Sequence, residues 1–332
     1  MKERFGKWNA EAAQKFGDKP YKWILICGDI ANMYDELDHD GIMPATRWGC
    51  EQLAEWIGRR RGTIKGVTVN YSTGDVVAGH RYEDYDVYVP FEQLLDICDY
   101  DNKHCWMQWR DQVFARLLGV PMGGLLSPHK ANMTLGQRES FFLAVLRSLG
   151  LVGGGIRFMD DVVLAIAVGC ALDVTLAEQW ISLVCGANGY PRPLVLEVEE
   201  RATSYGFLEL TVSSNEKLLQ VAFQSKFGSA RTDKDVACAY SRYPDGGDAM
   251  TTRERTQYVT GHLHRIVDGS MFEDSIEISV AHLAEEVSAS NWDWRHVREA
   301  IFNVVYNREG EVWCAKKLRE VLGTLNWMIG GF

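Results

Sequence analysis

Two adjacent carboxylates, Asp160 and Asp161, interrupt the apolar segment IRFMDDVVLA at 156–165. A third carboxylate, Asp29, follows the apolar run Trp23–Cys27. Both runs are typical of buried strands, so all three carboxylates are predicted at strand ends. Carboxylates that meet in a protected cleft repel each other unless cations lie between them, and two Mg²⁺ ions about 4 Å apart would support phosphoryl transfer there. A plain polar turn is the alternative explanation of the adjacent pair, because Asp is a common turn residue.

The elements that must position these carboxylates alternate between helical and strand patterns. Helices are predicted at 4–16, 38–61, 91–118, 130–149 and 171–186. Strands are predicted at 23–27, in a hairpin within 63–90, on both sides of Asp160-Asp161, and at 194–199, 206–213 and 218–224. After a linker at 245–248, the stretch 250–332 is mostly helical in pattern. This order predicts an α+β fold with a helical C-terminal subdomain.

Composition excludes several classes of protein. With 332 residues, 46% of them hydrophobic and 24% charged, the chain is predicted to fold as one body with two or three subdomains. Its longest apolar run, 162–172, is about half the ~20 residues that a membrane helix needs, and we expect neither a membrane contact nor a secretory signal. Eight cysteines without a C-x-x-C pair favour free thiols and an intracellular location, nuclear, cytoplasmic or viral. The net charge of −10 counts mildly against a nucleic-acid partner, although a local basic groove matters more.

Three segments in order resemble the catalytic motifs of reverse transcriptases. Asp29-Ile30-Ala31-Asn32-Met33-Tyr34 resembles the first motif, an Asp followed five residues later by Tyr or Phe. The loop GVPMGGLLSP at 119–128 resembles the second, a Gly-rich loop that ends in Ser-Pro before a long helix. Phe158-Met159-Asp160-Asp161 resembles the third, commonly Tyr-Met-Asp-Asp.

The second motif narrows the resemblance to particular groups of reverse transcriptases. Met122 stands where most retroviral and intron-type enzymes have glutamine, and Met-Gly is similar to Penelope-like elements and hepadnaviral polymerases. The stretches 207–212, 217–218 and 224–226 favour the Penelope-like layout, which 241–244 continues more weakly. The resemblance covers roughly residues 23–300.

This resemblance implies a right-hand polymerase: a palm whose antiparallel sheet packs on helices, a fingers insert and a helical thumb. The implied layout is 1–28 for an N-terminal helix and first palm strand, 29–34 for a palm motif, 35–118 for a fingers-like insert, 119–240 for the palm, and 241–332 for a thumb-like subdomain.

The resemblance also implies roles at the metal site. Asp29 and Asp160 would hold two Mg²⁺ ions, with Mn²⁺ as a substitute. The backbone carbonyl of Ile30 would be an extra ligand, and Asp161 would be the supporting carboxylate.

Nucleotide contacts are implied on the first two motifs. The backbone of Ala31, Asn32 and Met33 would lie along the triphosphate, where amide donors favour anionic oxygens. Tyr34 would pack under the sugar and collide with a 2′-hydroxyl, although an ordinary core tyrosine is the alternative.

The second motif would flank the nascent base pair through Met122, Gly123 and Gly124, because glycine lets a backbone approach a ligand closely. A helix entry with Ser127 as N-cap and Pro128 at the first helical position is compatible with this role.

Contacts with primer and template are implied for Phe158, Met159, Phe207, Leu208, Glu209, Arg59, Arg60, Arg61 and Lys65. The Phe207-Leu208-Glu209 segment would be the hairpin that holds the primer end, or equally a core strand. The basic cluster 59–65 would contact template or triphosphate, or form a solvated face.

The implied function is synthesis of DNA from dNTPs on an RNA template with a DNA or RNA primer. The alternatives are an RNA-dependent RNA polymerase on the same palm, which Tyr34 argues against, and a non-catalytic nucleic-acid-binding scaffold. Two features depart from the family. Only 28 residues precede Asp29, so we expect a fragment, an insert at 35–118 that substitutes for fingers, or fingers supplied by a partner protein. The stretch 186–200 has Arg192 where a lysine often serves as general acid, and the high pKa of arginine makes it a poor proton donor.

Overall fold

The computed structural model describes residues 1–61, 63–208, 210–215, 217–223, 250–271, 273–293, 295–307, 318 and 320. The chain divides into two compact units: a central unit, 26–200, and a terminal unit formed by 1–25 with 201–332. Strand Lys22–Ile30 begins in the terminal unit and ends in the central one. Each unit is described by itself below.

In the described part of the chain, the helices are α1 (Lys2–Phe16), α2 (Met33–Glu36), α3 (His39–Arg61), α4 (Phe91–Lys103), α5 (Ser127–Ser148), α6 (Ala171–Cys185), α7 (Thr252–Gly269), α8 (Glu273–Ala289) and α9 (Arg295–Asn307). The strands are β1 (Lys22–Ile30), β2 (Gly66–Asn70), β3 (Val76–Ala78), β4 (Asp86–Pro90), β5 (Trp106–Trp109), β6 (Gln112–Ala115), β7 (Val152–Phe158), β8 (Asp161–Val168), β9 (Leu196–Val198), β10 (Ser204–Phe207), β11 (Leu210–Asn215) and β12 (Leu218–Phe223).

The core of the central unit is a four-stranded sheet in the order β7-β8-β1-β9. Strands β7 and β8 form an antiparallel hairpin whose last pair is Phe158↔Asp161, so Met159 and Asp160 are its two-residue turn. The predicted hairpin around Asp160-Asp161 is therefore confirmed. Residues 162–168 of β8 are buried without exception, because both faces of this apolar strand are covered.

Helices α5 and α6 cover this sheet. They pack against each other, and α5 contacts β7 while α6 contacts β8 and β9. The buried Trp180 of α6 joins the two helices, since its indole N–H donates to the carbonyl oxygen of Phe142 over 2.8 Å. The predicted helices at 130–149 and 171–186 are confirmed, with the first beginning three residues earlier, at Ser127.

The segment 35–118 contains more strands than its pattern predicts. Helix α3 is followed by the antiparallel sheet β3-β2-β4, then by α4, which packs on α3 and β4. The predicted helix at 91–118 is wrong after Lys103, because 106–115 form the hairpin β5-β6. The tryptophans of β5 favour a strand. The hairpin is largely exposed, so it lacks the alternation of buried and exposed positions that would have revealed it.

The terminal unit contains the antiparallel sheet β10-β11-β12, against which α1 packs. Asn9 of α1 brackets Leu219 of β12: its amide group donates to the Leu219 carbonyl and accepts from the Leu219 N–H, both over 2.9 Å. The single strand predicted at 206–213 is wrong, because the chain turns between Phe207 and Leu210. Leu208 adopts a left-handed backbone there, φ 58°, in a turn without the glycine or asparagine that marks such positions.

The described residues after 250 are mostly helical, as predicted. Apolar side chains of α7, α8 and α9 share one core with Phe223 of β12. A capping box starts α7: the Thr251 hydroxyl accepts from the Glu254 N–H, and the Glu254 carboxylate accepts from the Thr251 N–H. No helix in the described ranges is both long and apolar enough to cross a membrane. The stretches 224–226 and 241–244 lie outside the described residues, and the implied subdomain boundaries stay predictions.

Gly153 in β7 offers a test of this sheet. Its φ is 138°, and a Cβ there would lie 2.0 Å from the carbonyl oxygen of Ala165 in the paired strand β8. We expect Gly153→Ala to lower the free energy of unfolding by about 2 kcal/mol in urea titrations, since the ladder must shift to admit the methyl group. Gly136→Ala is the matched control: it lies within α5 with open space around it, so the same substitution should stabilise by about 0.5 kcal/mol. Equal effects of the two changes would contradict this account of the sheet.

Candidate functional site

Asp29 and Asp160 are brought together by the neighbouring strands β1 and β8. The N–H of Ile30 donates to the carbonyl oxygen of Asp160 over 2.9 Å, so the end of β1 is bonded to the β7-β8 turn. Asp161 follows as the first residue of β8. The three carboxylates that the sequence singled out therefore lie at one end of one sheet.

The electrostatics of Asp29 confirm that these carboxylates interact. Although Asp29 is exposed as a whole, burial of part of its carboxylate is the largest cause that raises its pKa above the usual value. The negative charges of Asp160, Asp161 and Glu197 raise the pKa further, in that order. Burial and the three neighbouring negative charges thus both disfavour the ionised form of Asp29.

Glu197 is a member of this cluster that the sequence analysis missed. It is the register partner of Asp29 in the antiparallel pair β1–β9. Directly opposed residues share a face of a sheet, so the two carboxylates lie on the same side. The strand around Glu197 was predicted at 194–199, but its pairing partner was not, and only the pairing reveals the contact.

The turn that carries Asp160 has an unusual backbone. Met159 has φ 57°, in the left-handed region that residues other than glycine and asparagine rarely adopt. Its sulfur accepts a hydrogen bond from the Tyr34 hydroxyl over 3.2 Å. Tyr34 is half-buried, so it is not the plain core tyrosine of the alternative reading. Beside the turn, Phe158 is 55% exposed.

The Gly-rich loop lies against the first motif. The N–H of Val120 donates to the Tyr34 carbonyl over 2.7 Å, and the N–H of Gly119 donates to the Leu37 carbonyl over 2.8 Å. Farther along, Met122 is 73% exposed, and Gly123 takes φ 85°, which requires glycine. The backbone of the loop is thus fixed at its start and open to solvent at its tip.

Two details of these motifs differ from the expectations. Helix α5 begins at Ser127 with Leu126 as its N-cap, so the proposed Ser127 cap is wrong by one position. The amides of Ile30 and Ala31 donate within the protein, to the carbonyls of Asp160 and Val195. Any phosphate contact of the first motif therefore falls on the residues after Ala31. Asn32 starts that stretch in the left-handed conformation, φ 51°.

The basic residues singled out in the sequence lie in the 35–118 segment. Arg59 is exposed and pairs with Glu55 one helical turn earlier, over 2.5 Å, which favours the reading as a solvated face. Lys65 is exposed in the segment that leads into β2. Arg60 and Arg61 belong to α3, and their side chains lie outside the described part of the structure.

The residues assigned to a primer hairpin lie in the terminal unit. Phe207 ends β10 with its side chain 3% exposed, and Leu208 forms the turn into β11. Glu209 lies outside the described residues. The segment is a hairpin, as the resemblance implied, and its role stays a prediction.

The carboxylate cluster fits a hard divalent cation in chemical type. Carboxylate and carbonyl oxygens are the ligands that Mg²⁺ takes, and the raised pKa of Asp29 reports a local excess of negative charge that a cation would relieve. Among the described residues, however, no group of three or more His, Cys, Asp or Glu side chains is arranged to hold a metal ion as it stands. The cluster thus supplies the right groups without a converged coordination sphere.

Comparison with known proteins identifies a related fold. No protein-family model matches the sequence, and no curated protein matches it significantly. Among solved structures, the chain is similar to telomerase from Candida albicans in complex with the TWJ fragment of telomeric RNA, with 12% identity and a TM-score of 0.58 over 97% of this chain and 49% of that one. It also matches telomerase from Candida tropicalis in complex with the same kind of fragment, with 12% identity and a TM-score of 0.48 over 97% and 49% of the two chains.

This similarity shows the fold alone. The chain has a mixed α/β fold with antiparallel sheets and helices, similar to that of the Candida albicans telomerase, and it spans about half the length of that telomerase chain. The Penelope-like and hepadnaviral resemblances are not tested by these matches and stay predictions.

Because the pKa of Asp29 is raised, its ionised carboxylate should lower the free energy of unfolding in a pH-dependent way. A carboxyl whose pKa is higher in the folded state binds its proton more tightly there, so stability falls as the pH rises through that pKa. We therefore expect Asp29→Asn to stabilise the protein at pH 7 in EDTA, with the gain shrinking toward pH 3.5, where Asp29 is largely protonated in the folded state and increasingly so in the unfolded state. Urea midpoints at the two pH values measure this. Asp111→Asn, which removes an exposed carboxylate from the turn before β6, should show no such gain; a gain independent of pH for Asp29→Asn would refute the assignment.

Proposed function

We propose that this chain is an RNA-directed DNA polymerase, in which a primer 3′-hydroxyl attacks the α-phosphate of a dNTP paired with an RNA template. The observation that carries the proposal is the meeting of Asp29, Asp160 and Asp161 at one end of the central sheet. It is supported by the contacts that join all three motif segments through Tyr34, whose carbonyl accepts from Val120 and whose hydroxyl donates to Met159.

In this proposal Asp29 and Asp160 hold two divalent ions, the Ile30 carbonyl is an extra ligand, and Asp161 supports them. Two Mg²⁺ ions bound there, or Mn²⁺ in their place, supply charge stabilisation to the attacking and leaving oxygens. The bond between the Ile30 N–H and the Asp160 carbonyl holds the two ligand-bearing segments in a fixed relation. Glu197 adds negative charge on the same face, which strengthens the demand for cations.

The nucleotide would lie between the first two motifs. Since the Ile30 and Ala31 amides are engaged in the sheet, Asn32, Met33 and Tyr34 are the proposed contacts with triphosphate and sugar. The bond from its hydroxyl to the Met159 sulfur fixes the Tyr34 ring, and a fixed ring can exclude a 2′-hydroxyl by steric collision. The exposed Met122, with Gly123 and Gly124, would flank the nascent base pair.

The proposal also includes contacts with the primer and the template. Phe158 and Met159 at the turn, the hairpin at Phe207, Leu208 and Glu209, and the basic cluster 59–65 would contact them. The RNA present in the similar telomerase structures supports an RNA template. The palm, fingers and thumb layout, the Penelope-like affinity and fingers supplied by a partner protein belong to the same proposal.

Primer extension tests the reaction. Purified protein with Mg²⁺ or Mn²⁺, a primed RNA template and dNTPs should extend the primer. Asp160→Asn and Asp161→Asn should each reduce the rate at least about a hundredfold, because each removes charge from the proposed ion site. Asp111→Asn should leave the rate unchanged. Extension by wild-type protein no greater than by the Asp160→Asn variant would end the proposal, and incorporation of rNTPs in preference to dNTPs would replace it with RNA synthesis.

Tyr34 gives a separate test of sugar selection. Removing the ring in Tyr34→Ala should lower the preference for dNTPs over rNTPs by at least about tenfold, because the collision with the 2′-hydroxyl disappears. Tyr34→Phe keeps the ring and loses only the hydrogen bond to Met159, so it should keep most of the preference. The ratio of kcat/KM for a dNTP and its matching rNTP measures both variants. An unchanged ratio in Tyr34→Ala would remove Tyr34 from the proposed site.

A further inference from the structure

Arg157, two residues before the turn, connects that turn to helix α5. Its side chain is 9% exposed, and its Nε donates to Glu139 Oε1 over 2.5 Å. Its Nη1 donates to Asn132 Oδ1 over 2.9 Å and to the carbonyl oxygen of Met159 over 2.7 Å. One guanidinium thus joins two side chains of α5 to the backbone of the turn.

Glu139, at the α5 end of this connection, accepts a further hydrogen bond. The hydroxyl of Tyr190 donates to the same oxygen of Glu139 over 3.3 Å. Burial, and then the charge of Glu139, raise the pKa of Tyr190, so its proton stays available for that bond. Glu139 therefore accepts from two donors, and its bond from Tyr190 helps to hold the carboxylate that anchors the Arg157 guanidinium.

The turn needs such an anchor because of the backbone of Met159. Met159 has φ 57°, a left-handed conformation that is unfavourable for a residue with a side chain. A change of Met159 to a negative φ would relieve this cost, and it would redirect the chain that follows and move the Asp160 carbonyl away from the Ile30 N–H. The relation between Asp29 and Asp160 therefore depends on the conformation of Met159.

We propose that Arg157 is a positioning residue that holds the Met159-Asp160 turn so that Asp160 and Asp161 face Asp29. This inference rests on the proposed function for the purpose of the carboxylates, but the contacts that carry it are independent of that function. An arginine suits this position, because its planar guanidinium donates to Glu139, Asn132 and the Met159 carbonyl at once.

Arg157→Lys tests the proposal, because it keeps the charge and loses the fork. Binding of Mn²⁺ alone, measured by electron paramagnetic resonance of the free ion, should weaken about tenfold, as for other groups that orient metal ligands. Loss of the wild-type binding in Asp160→Asn would identify the site measured. Hydrogen exchange at the Ile30 amide, measured without metal, should accelerate in Arg157→Lys.

Arg138→Lys is the matched control. Arg138 also lies on α5 and clamps backbone carbonyls, those of Gly189 and Asn188 over 2.6 and 2.8 Å, neither of which belongs to the turn. It should change neither Mn²⁺ affinity nor Ile30 exchange. Met159→Asn combined with Arg157→Lys should restore most of the lost affinity, since asparagine tolerates a left-handed backbone without the clamp. If Arg157→Lys does not fold, Glu139→Gln, which keeps an acceptor oxygen but weakens the anchor, should shift both readouts in the same direction.

The outcomes separate this proposal from the proposed function. Primer extension by wild-type protein, together with equal Mn²⁺ affinity and equal Ile30 exchange in Arg157→Lys and Arg138→Lys, would refute the positioning role alone. If the wild-type protein neither binds Mn²⁺ nor extends a primer, the proposed function fails. Hydrogen exchange at the Ile30 amide then tests Arg157 by itself. Faster exchange in Arg157→Lys but not in Arg138→Lys supports the role of Arg157, and equal exchange in the two variants refutes it.

Discussion

Repulsion among carboxylates at one end of the central sheet is the constraint around which the 26–200 unit is organised. Asp29, Asp160, Asp161 and Glu197 share that end, and burial together with the other three charges raises the pKa of Asp29. Strand β1 and the β7-β8 turn nevertheless stay close together. The bond from the Ile30 N–H to the Asp160 carbonyl keeps the charges close.

The energy that holds the cluster together comes from the apolar part of the same strands. Residues 162–168 of β8 are all buried, and burial of one large aliphatic side chain contributes about 1.5–3 kcal/mol. Helices α5 and α6 cover this strand's sheet and are joined through Trp180. A well-packed strand that ends in charges can therefore hold them in an arrangement that the charges themselves oppose.

Sequence patterns predicted the parts of this site in which apolar runs determine the structure. The runs before Asp29 and around Asp160-Asp161 are typical of buried strands, and strands are found at both. The hairpin β5-β6 was missed because it is exposed and lacks a buried face, and the turn at Leu208 because it has no turn residue. The roles of Glu197 and Arg157 depend on which residues pair across the sheet and between sheet and helix, and a single sequence does not contain that information.

The site combines a hydrogen-bonded part with an exposed part, and this division suits the polymerase activity that we propose. Strand and turn backbone fix the carboxylates, while the tip of the Gly-rich loop, with Met122 73% exposed and Gly123 in an open conformation, is free to meet a ligand. Tyr34 contacts both parts of the site. Its carbonyl accepts from the Val120 N–H at the start of the loop, and its hydroxyl donates to the Met159 sulfur in the turn. A chain with a net charge of −10 cannot attract a nucleic acid by its total charge. In the proposed function, cations bound at the carboxylate end would reverse the sign of the local charge, so the acidic cluster would serve to attract the phosphates of the proposed substrate.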